Sequence, residues 1–316
     1  MHLLVSIIVP NYNHALYLRE RLDSIFSQTF QDFEVILLDD NSSDSSIEVL
    51  KEYAAHPKVS HFIVNATNSG SPFIQWEKGL SLSKGKYIWI AESDDSCEIT
   101  FLEKLLTHSD DGEVALAYCQ SKRIDHHGET TGSWIGHTAG FKHNIWSEDF
   151  KMKGSLFIEK YLIHKNVIPN VSAVLFSKKH LLKILPLDRS PCFRYNADWF
   201  YYIQLLSTAK VVFIAESLNK FREHNASVIA QAGSKGDLSG ILKLELQGGK
   251  KIMRYLEGCG LDNTSEIKQQ HKIRMDNIYL SIAMEHAQKR YFFKGIATVF
   301  TRPSLWTRYI TAIRKI

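Results

Sequence analysis

Three carboxylates follow a short apolar segment of this chain, and their spacing is the feature best suited to chemistry. Residues 87–91 are apolar and are followed by Glu92, Asp94 and Asp95. Such a run predicts a buried strand of a parallel sheet. Desolvating an unpaired carboxylate is costly, so the acids should lie beyond the strand, at the edge where open α/β sheets bind ligands. Oxygen ligands grouped there suit Mg²⁺ or Mn²⁺ holding a substrate phosphate, and a solvated acidic turn is the alternative.

The end of the first predicted strand, residues 4–9, carries side chains that could hold a nucleobase. Proline cannot occupy the interior of a central strand, so Pro10 marks the strand's end. The residues that follow are Asn11, Tyr12 and Asn13. An aromatic ring and amides there can stack on a base and hydrogen bond to it. Ordinary turn chemistry is the alternative, because asparagine is a common turn residue.

Two consecutive acids, Asp39 and Asp40, end the second predicted strand, residues 33–38. Ser42 or Ser43 can cap the next helix, which leaves the acids unexplained. A carboxylate there can accept a hydrogen bond from a base N–H or a ribose hydroxyl, and a solvated turn is again the alternative. Acids from two strands of one sheet reach the same edge, and this combination is more specific than either motif alone.

The usual glycine cradles for nucleotides are absent from the sequence. No glycine-rich dinucleotide fingerprint follows the first strand, and no Gly-Lys-Ser/Thr loop occurs anywhere in the chain. This argues against a dehydrogenase and against a P-loop NTPase. We therefore expect a nucleotide to be held by acids and a metal ion.

Strands and helices alternate over the first ~120 residues, which predicts an α/β fold with right-handed crossovers. We expect a Rossmann-type mixed, mainly parallel sheet flanked by helices. From residue 237 onward the pattern is helical. We place a boundary at residues 235/236, which gives a catalytic domain of residues 1–235 and a helical carboxyl-terminal extension of residues 236–316.

Six segments resemble, in their order, the signature of the family 2 glycosyltransferases. These segments are residues 5–13, 38–44, 68–70 continued by Gly79 and 85–88, 92–95, 196–200 and 221–227. The resemblance covers roughly residues 3 to 230. It implies a GT-A fold, a nucleoside-diphosphate sugar donor, a divalent metal ion and inversion at the anomeric carbon.

The resemblance also implies roles for single residues. Residues 92–95 resemble the Asp-x-Asp metal motif, although Glu92 stands where Asp is usual, and the expected metal ligands are Asp95, Asp94 and His224. His224 could instead be a hydrogen-bonded loop histidine, and Arg222 could pair with phosphate or with a structural carboxylate. The expected contacts to the donor nucleotide are Pro10, Asn11, Tyr12, Asn13, Asp39, Asp40, Asn68, Gly70, Asp94 and Arg222.

Asp198 lies in the segment that resembles the family's catalytic-base region. An acceptor hydroxyl is a poor nucleophile near neutral pH, so a carboxylate opposite the leaving group should remove its proton as bonding develops. Asn196 stands where many members have an acid, which leaves a paired carboxylate in doubt but not Asp198. The alternative is an acid stabilised by the macrodipole at a helix N-terminus.

The expected reaction is transfer of a sugar from a UDP- or GDP-sugar to a glycan or lipid-linked glycan, in cell-surface polysaccharide (O-antigen or capsule) synthesis. Transfer to polyprenyl phosphate and a non-catalytic glycosyltransferase-like binding module are the alternatives. No Gln-x-x-Arg-Trp segment is present, which argues against processive synthesis of the cellulose, chitin or hyaluronan type.

Composition bounds the partners and the compartment. The net charge of +4 is too small to argue for a nucleic-acid partner. The chain begins without a signal-peptide pattern, and no window approaches the ~20 apolar residues that span a bilayer. The four cysteines give neither metal-ligand spacing nor a disulfide framework. We therefore expect a cytoplasmic protein that could also lie peripherally at the inner face of the membrane.

The carboxyl-terminal segment is basic and aromatic. Residues 286–316 contain no Asp or Glu and carry seven Lys or Arg residues among the aromatic ones, namely Lys289, Arg290, Lys294, Arg302, Arg308, Arg314 and Lys315. Such a segment could lie on an anionic membrane surface. Alternatively, its aromatic rings pack onto the catalytic domain and its charges form a solvated face.

Overall fold

The structure is a computed structural model and describes residues 4–109, 112–194, 196–224, 238–261, 265–289, 291–300 and 302–313. The chain divides into two compact units. The first unit comprises Met1–Gly154, Val167–Leu187 and Thr208–His224, and the second comprises Ser155–Asn166, Asp188–Ser207 and Asn225–Ile316. The predicted boundary at residues 235/236 lies outside the described residues and stays a prediction. The membrane contact predicted for Arg290, Arg314 and Lys315 also lies outside them.

The described part of the first unit contains ten strands in one sheet. In chain order they are β1 (Val5–Asn11), β2 (Phe33–Asp39), β3 (Val59–Val64), β4 (Tyr87–Ile90), β5 (Ser96–Cys97), β6 (Val114–Ile124), β7 (Thr130–Ser133), β8 (Phe150–Lys153), β9 (Val174–Ser177) and β10 (Lys210–Arg222). Their order across the sheet is β3-β2-β1-β4-β9-β6-β10-β5, with β7 paired to β6 and β8 paired to β10.

The described helices of both units are α1 (Ala15–Phe26), α2 (Ser46–Ala54), α3 (Pro72–Leu82), α4 (Phe101–Thr107), α5 (Ile135–Thr138), α6 (Gly154–Phe157), α7 (Lys178–Leu181), α8 (Ala197–Leu206), α9 (Leu238–Gly258), α10 (Ser265–Gln288), α11 (Phe292–Val299) and α12 (Pro303–Ile313). The predicted mixed α/β sheet with flanking helices and a helical carboxyl-terminal region is confirmed. Within the described chain, no helix combines the length and the apolar character that crossing a membrane requires.

The sheet is mixed because β9 runs antiparallel between two parallel groups. Strands β1, β2, β3 and β4 pair in parallel, and β6 pairs in parallel with β10. β9 is antiparallel to both β4 and β6. Every residue of β1 and β2 is buried, which explains why both strands are mostly apolar rather than alternating. The hydroxyl of the buried Ser6 donates a hydrogen bond of 2.6 Å to the carboxylate of the buried Glu34.

Pro10 does not end β1, because the strand continues to Asn11. Its pairing with β2 extends through Pro10 and Leu38 to Asn11 and Asp39. On the other side, pairing with β4 reaches only Ile8. Successive residues of a strand face its two neighbouring strands in turn, so the backbone of Pro10, like that of Ile8, faces β4. The pairing with β4 has already ended at Ile8, so no partner in β4 is left for an N–H at Pro10. A missing N–H is therefore tolerated within this central strand.

The start of α2 was also predicted incorrectly. The sequence suggested a cap at Ser42 or Ser43, whereas the helix begins at Ser46. Both the N–H and the hydroxyl of Ser42 are donated to Asp39, at 2.8 and 2.7 Å. The serines therefore stabilise the turn after β2 instead of capping the helix.

Gly85 allows the chain to pass close to β1, which gives a stability prediction. A Cβ atom at this position would lie 2.5 Å from the Ser6 nitrogen and 2.6 Å from the Val5 carbonyl carbon. Backbone atoms yield poorly, so we expect Gly85→Ala to lower the free energy of unfolding by about 1–3 kcal/mol. Urea denaturation measures this. Gly136→Ala is the control, because nothing lies within 4 Å of its added Cβ, and an equal loss in both variants would contradict the close-approach argument.

The second unit has helical cores of its own. Leu246 of α9 packs with Met275, Ile278 and Ile282 of α10. A second cluster joins α10 to the last two helices through Ala283, Ala287, Val299, Leu305 and Tyr309.

Candidate active site

Three parallel strands of the first unit bring polar residues to one edge of the sheet. Asn11 of β1 pairs with Asp39 of β2, and Ile8 pairs with Ile90 at the end of β4. The segments that follow these strands are therefore neighbours. The acids predicted at this edge are placed together as the parallel arrangement requires.

Asp39 is fully buried and is engaged by the turn around it. Its Oδ1 accepts a hydrogen bond from the Ser42 N–H at 2.8 Å, and its Oδ2 accepts from the Asn11 amide at 2.7 Å. Asn13 adopts a left-handed conformation with φ of 57°, and its Oδ1 accepts from the Ser43 N–H at 2.7 Å. These groups shape the turn, and a base or ribose contact through Asp39 stays a prediction.

Tyr12 lies between the two engaged asparagines and is 47% exposed. A ring held by a rigid turn and open to solvent can stack on a flat partner. The nucleobase contact predicted for Tyr12 is compatible with this exposure, and it remains untested, as does that of Pro10.

Asp40 anchors the loop that follows β3. Its carboxylate accepts hydrogen bonds from the Asn65 amide, the Ser69 N–H and the Gln75 amide, at 2.6, 2.9 and 2.8 Å. Asn68 donates to the Asp40 carbonyl at 3.0 Å and accepts from the Gly70 N–H at 2.7 Å. Asp40 therefore places Asn68 and Gly70 beside the sheet edge, and donor contacts by these residues stay predictions.

Glu92, the departure from the expected motif, differs electrostatically from the acids after it. Burial, and then the charge of Asp94, raises the pKa of Glu92 to about 8, so this carboxyl is protonated near neutral pH. The indole of Trp76 donates to Glu92 Oε1 at 2.8 Å. The fully buried Arg21 donates its Nε–H to the Glu92 carbonyl at 2.9 Å. Glu92 is thus held by structural contacts with Trp76 and Arg21, and Asp94 and Asp95 are the acids that follow it at this edge.

Asp94 lies in a cluster with two histidines. Its Oδ2 is 3.0 Å from His224 Nε2, and the rings of His224 and His14 meet edge to face at 5.5 Å. One ligand atom from each of His14, Asp94 and His224 lies within 4.8 Å of the others. Burial by itself would raise the pKa of Asp94, but the hydrogen bond from His224 and the proximity of His14 hold this pKa below its ordinary value.

Asp95 is held by protein donors on both oxygens. Its Oδ1 accepts from the Arg222 N–H at 2.9 Å, and its Oδ2 accepts from the Asn170 amide at 2.8 Å. Burial, followed by the charge of Asp94, raises the pKa of Asp95 to about 6. The predicted metal ligands Asp94 and His224 are therefore together, Asp95 lies beside them in a supporting network, and its role as a ligand stays a prediction.

Arg222 connects the acids rather than projecting into solvent. Its Nε donates to the Asp94 carbonyl at 2.7 Å and its Nη1 to the Asp125 carbonyl at 2.8 Å. Its Nη2 forms an ion pair with Glu20, and the guanidinium lies 4.8 Å from the ring centre of Tyr17. Of the two alternatives for Arg222, the structure shows the pairing with a structural carboxylate, and a phosphate contact is untested.

The His14–Asp94–His224 cluster fits a divalent metal ion. Burial lowers the pKa of His14 against the opposing charge of Asp94, so its imidazole is in the neutral form that metal binding requires near neutral pH. His224 Nδ1 is a buried nitrogen without a hydrogen-bond partner in the described structure. Two imidazoles with one carboxylate offer nitrogen and oxygen ligands together, and the carboxylate suits both Mg²⁺ and Mn²⁺, the two ions expected from the sequence.

Sequence reasoning missed His14. His14 follows Asn13 directly, in the turn after β1, and its Nδ1 lies 2.8 Å from the Ser93 hydroxyl. Its position at the same sheet edge as the acids was the available signal. A single histidine before a helix has no distinctive spacing, so only the fold brings it to Asp94.

The proposed base, Asp198, lies in the first turn of α8 in the second unit. Its Oδ2 accepts from the Asn166 amide at 3.3 Å, and its Oδ1 accepts from the Trp199 N–H at 2.8 Å. Burial raises the pKa of Asp198 to about 6. A carboxylate with this pKa is a stronger base than an ordinary aspartate and is still ionised at neutral pH. The structure thus gives Asp198 properties that suit a base, and its catalytic role stays a prediction.

Comparison with known proteins agrees with this geometry. The family model described as glycosyl transferase family 2 matches residues 6–166, half of the chain. The glycosyltransferase GlyG of Streptococcus pneumoniae is 26% identical over 237 residues, which are 72% of this chain and 73% of that protein. Alignments with three further curated glycosyltransferases span 15%, 33% and 41% of those proteins' own lengths.

Two groups of solved structures share the fold. S. aureus TarS with UDP-GlcNAc aligns with a TM-score of 0.60 at 17% identity, over 98% of this chain and 79% of that chain. The mannosyltransferase PcManGT of Pyrobaculum calidifontis, in complex with GDP-Man and Mn²⁺, aligns with a TM-score of 0.58 at 15% identity, over 98% and 84%. The chain therefore belongs to glycosyl transferase family 2 and is a glycosyltransferase with a GT-A-like fold.

Proposed function

We propose that this glycosyltransferase is metal-dependent and moves a sugar from a nucleoside-diphosphate sugar to an acceptor hydroxyl with inversion. The observation that carries the proposal is the His14–Asp94–His224 cluster at the carboxyl ends of β1 and β4. Ligands in open α/β sheets bind at this edge. The cluster lies beside the turns of Tyr12 and Asp39, where the nucleoside would be bound.

The charge on the donor explains why a cation is needed. Asp94, Asp95 and Asp39 are gathered at this edge, and these acids would repel a diphosphate. When bound, a divalent metal ion would neutralise both the acids and the charge that develops on the leaving diphosphate. His14, Asp94 and His224 would hold it, while Asn170 and the Arg222 N–H keep Asp95 oriented.

The protein's own proton acceptor would be Asp198. Its task is to remove the acceptor hydroxyl's proton as the bond to the anomeric carbon forms, on the face opposite the leaving group. The hydrogen bonds from Asn166 and from the Trp199 N–H fix the carboxylate's orientation. A single displacement with such a base would give a product of inverted configuration.

The donor is a UDP- or GDP-sugar and the acceptor a glycan or lipid-linked glycan of a cell-surface polysaccharide. Structures of fold relatives hold UDP-GlcNAc in one case and GDP-Man with Mn²⁺ in the other, which supports this donor class. Such a reaction would take place in the cytoplasm, with the enzyme peripheral at the inner face of the membrane.

Calorimetry with UDP and with GDP tests the metal-dependent binding. With Mn²⁺, we expect one of the two nucleotides to bind at least about tenfold more tightly than in EDTA, because the metal removes the repulsion between diphosphate and acids. AMP under the same conditions is the control for non-specific binding of a nucleotide. Tight binding of UDP or GDP that EDTA leaves unchanged would contradict the metal bridge.

A further inference from the structure

An aromatic surface is exposed on the last two helices of the second unit. Phe293 is 86% exposed, Phe300 is 67% exposed and Ile310 is 40% exposed. Phe293 and Ala297 lie on the solvent side of α11, and Phe300, which directly follows the helix, continues the helical spacing. We call Phe293, Phe300, Trp306 and Ile310 the aromatic face. Large apolar side chains grouped in this way are unusual on a surface that contacts only water.

The aromatic face has a defined geometry and an opposite, buried side. The rings of Phe300 and Trp306 meet at 6.1 Å with an interplanar angle of 72°. On the other side, Val299, Leu305 and Tyr309 are almost completely buried against α10. These three residues therefore pack within the second unit, and their burial does not account for the aromatic face.

Two basic residues, Lys294 of α11 and Arg308 of α12, lie on the same helices as the aromatic face. The Lys294 ammonium lies 4.8 Å from the ring centre of Tyr291, itself 54% exposed. Arg308 donates to the neutral amide oxygen of Asn277 at 3.0 Å. By contrast, Lys289 and Arg302 pair with the carboxylates of Glu285 and Asp276. Residues 286–316 contain no acid, so no carboxylate of this segment neutralises Lys294 or Arg308.

We propose that the aromatic face, with Lys294 and Arg308, binds an anionic phospholipid surface. Aromatic rings with adjacent cations match the boundary between lipid headgroups and acyl chains. Negative lipid attracts juxtaposed lysines and arginines. This surface would serve the lipid-linked acceptor proposed above, but lipid binding itself requires neither donor, metal nor catalysis.

Co-sedimentation of the full chain with vesicles tests the proposal. The vesicles contain phosphatidylcholine alone or phosphatidylcholine with about a third phosphatidylglycerol. We expect binding to the anionic vesicles to be at least about tenfold stronger than to the neutral ones, and to weaken as salt is raised. Equal partitioning to the two vesicle types, or no binding to either, overturns the proposal.

Paired variants separate the aromatic from the basic contribution. Phe293→Ser with Phe300→Ser should reduce anionic-vesicle binding at least about tenfold without loss of Tm, because both rings are already exposed. Lys294→Glu with Arg308→Glu should abolish the preference for anionic lipid. Ile99→Ser with Leu182→Ser is the matched control, since these first-unit side chains are 53% and 50% exposed. Equal losses in the control and the aromatic variant overturn the assignment to this surface.

Transfer to a soluble acceptor, measured separately, keeps this proposal distinct from the proposed function. Vesicle binding that persists without sugar transfer would leave the lipid surface standing and reject the reaction. Sugar transfer without vesicle binding would support the reaction and reject the lipid surface.

Discussion

Replacing Asp198 by Asn is expected to lower kcat by about 10²- to 10⁴-fold while leaving the affinity for the donor nucleotide unchanged. The substitution keeps the size and polarity of the side chain and removes the proton acceptor. Asn166 donates to this carboxylate from another segment of the same unit, and its side chain can turn over to present its oxygen to the NH2 group of the variant. The chemical step, rather than binding, should carry the loss.

Steady-state kinetics with saturating donor, together with nucleotide calorimetry, measures the two effects. Glu257→Gln, the loss of an exposed acid in the same unit, is the control and should leave kcat unchanged. A loss of donor affinity as large as the loss of turnover would instead assign Asp198 to binding.

The raised pKa of Asp198 adds a pH signature to this prediction. In the folded protein the pKa of Asp198 is about 6, above the ordinary value of 3.8. The ionised carboxylate, which is the active form of the base, therefore predominates above about pH 6. The rate should therefore fall as pH decreases through about 6, because the base becomes protonated. Asp95 also has a pKa of about 6, so the profile is recorded with Mn²⁺ at saturation. In Asp198→Asn, the residual rate should lose this acidic limb.

The central strands could be predicted because burial on both faces leaves a simple pattern. β1 and β2 were placed within two residues of their observed ends, since all of their residues are buried and apolar runs identify them. β10 continues to Arg222, and its register with β6 shifts between Ile214 and Ser217, so its side chains do not follow one simple alternating pattern. β9 was missed, because no acidic or turn motif marks its end as Glu92, Asp94 and Asp95 mark the end of the equally short β4.

The candidate site was predictable where side chains follow strands directly. Asp39 and Asp94 lie at the ends of β2 and β4, and parallel strands must bring such ends to one edge. Asn170 and Arg21 could not be found in this way. Asn170 reaches Asp95 from 75 residues away, and Arg21 contacts Glu92 from inside a helix, 71 residues away. Contacts of this range depend on the packed fold and leave no local pattern.

Removal of one cluster ligand is expected to have the largest effect on the metal. Asp94→Asn or His14→Ala should weaken Mn²⁺ binding by more than about 100-fold, because supporting residues outside a metal's ligand shell already cost about 10- to 100-fold. Mn²⁺ titration followed by electron paramagnetic resonance measures this without donor or turnover. His126→Ala is the control, since His126 is an exposed histidine whose ring stacks only on its neighbour His127 in the contacts described.

Asp95→Asn decides between the two ligand sets. If Asp95 is a direct ligand, Asp95→Asn should lose as much Mn²⁺ affinity as Asp94→Asn. If Asp95 only orients the cluster, Asp95→Asn should lose roughly 10- to 100-fold in Mn²⁺ affinity. The structure favours the smaller loss, because both Asp95 oxygens already accept hydrogen bonds, from the Arg222 N–H and from Asn170. His14→Ala then tests the complementary expectation. If His14→Ala left Mn²⁺ affinity unchanged while Asp95→Asn abolished it, Asp95 and not His14 would complete the site with Asp94 and His224.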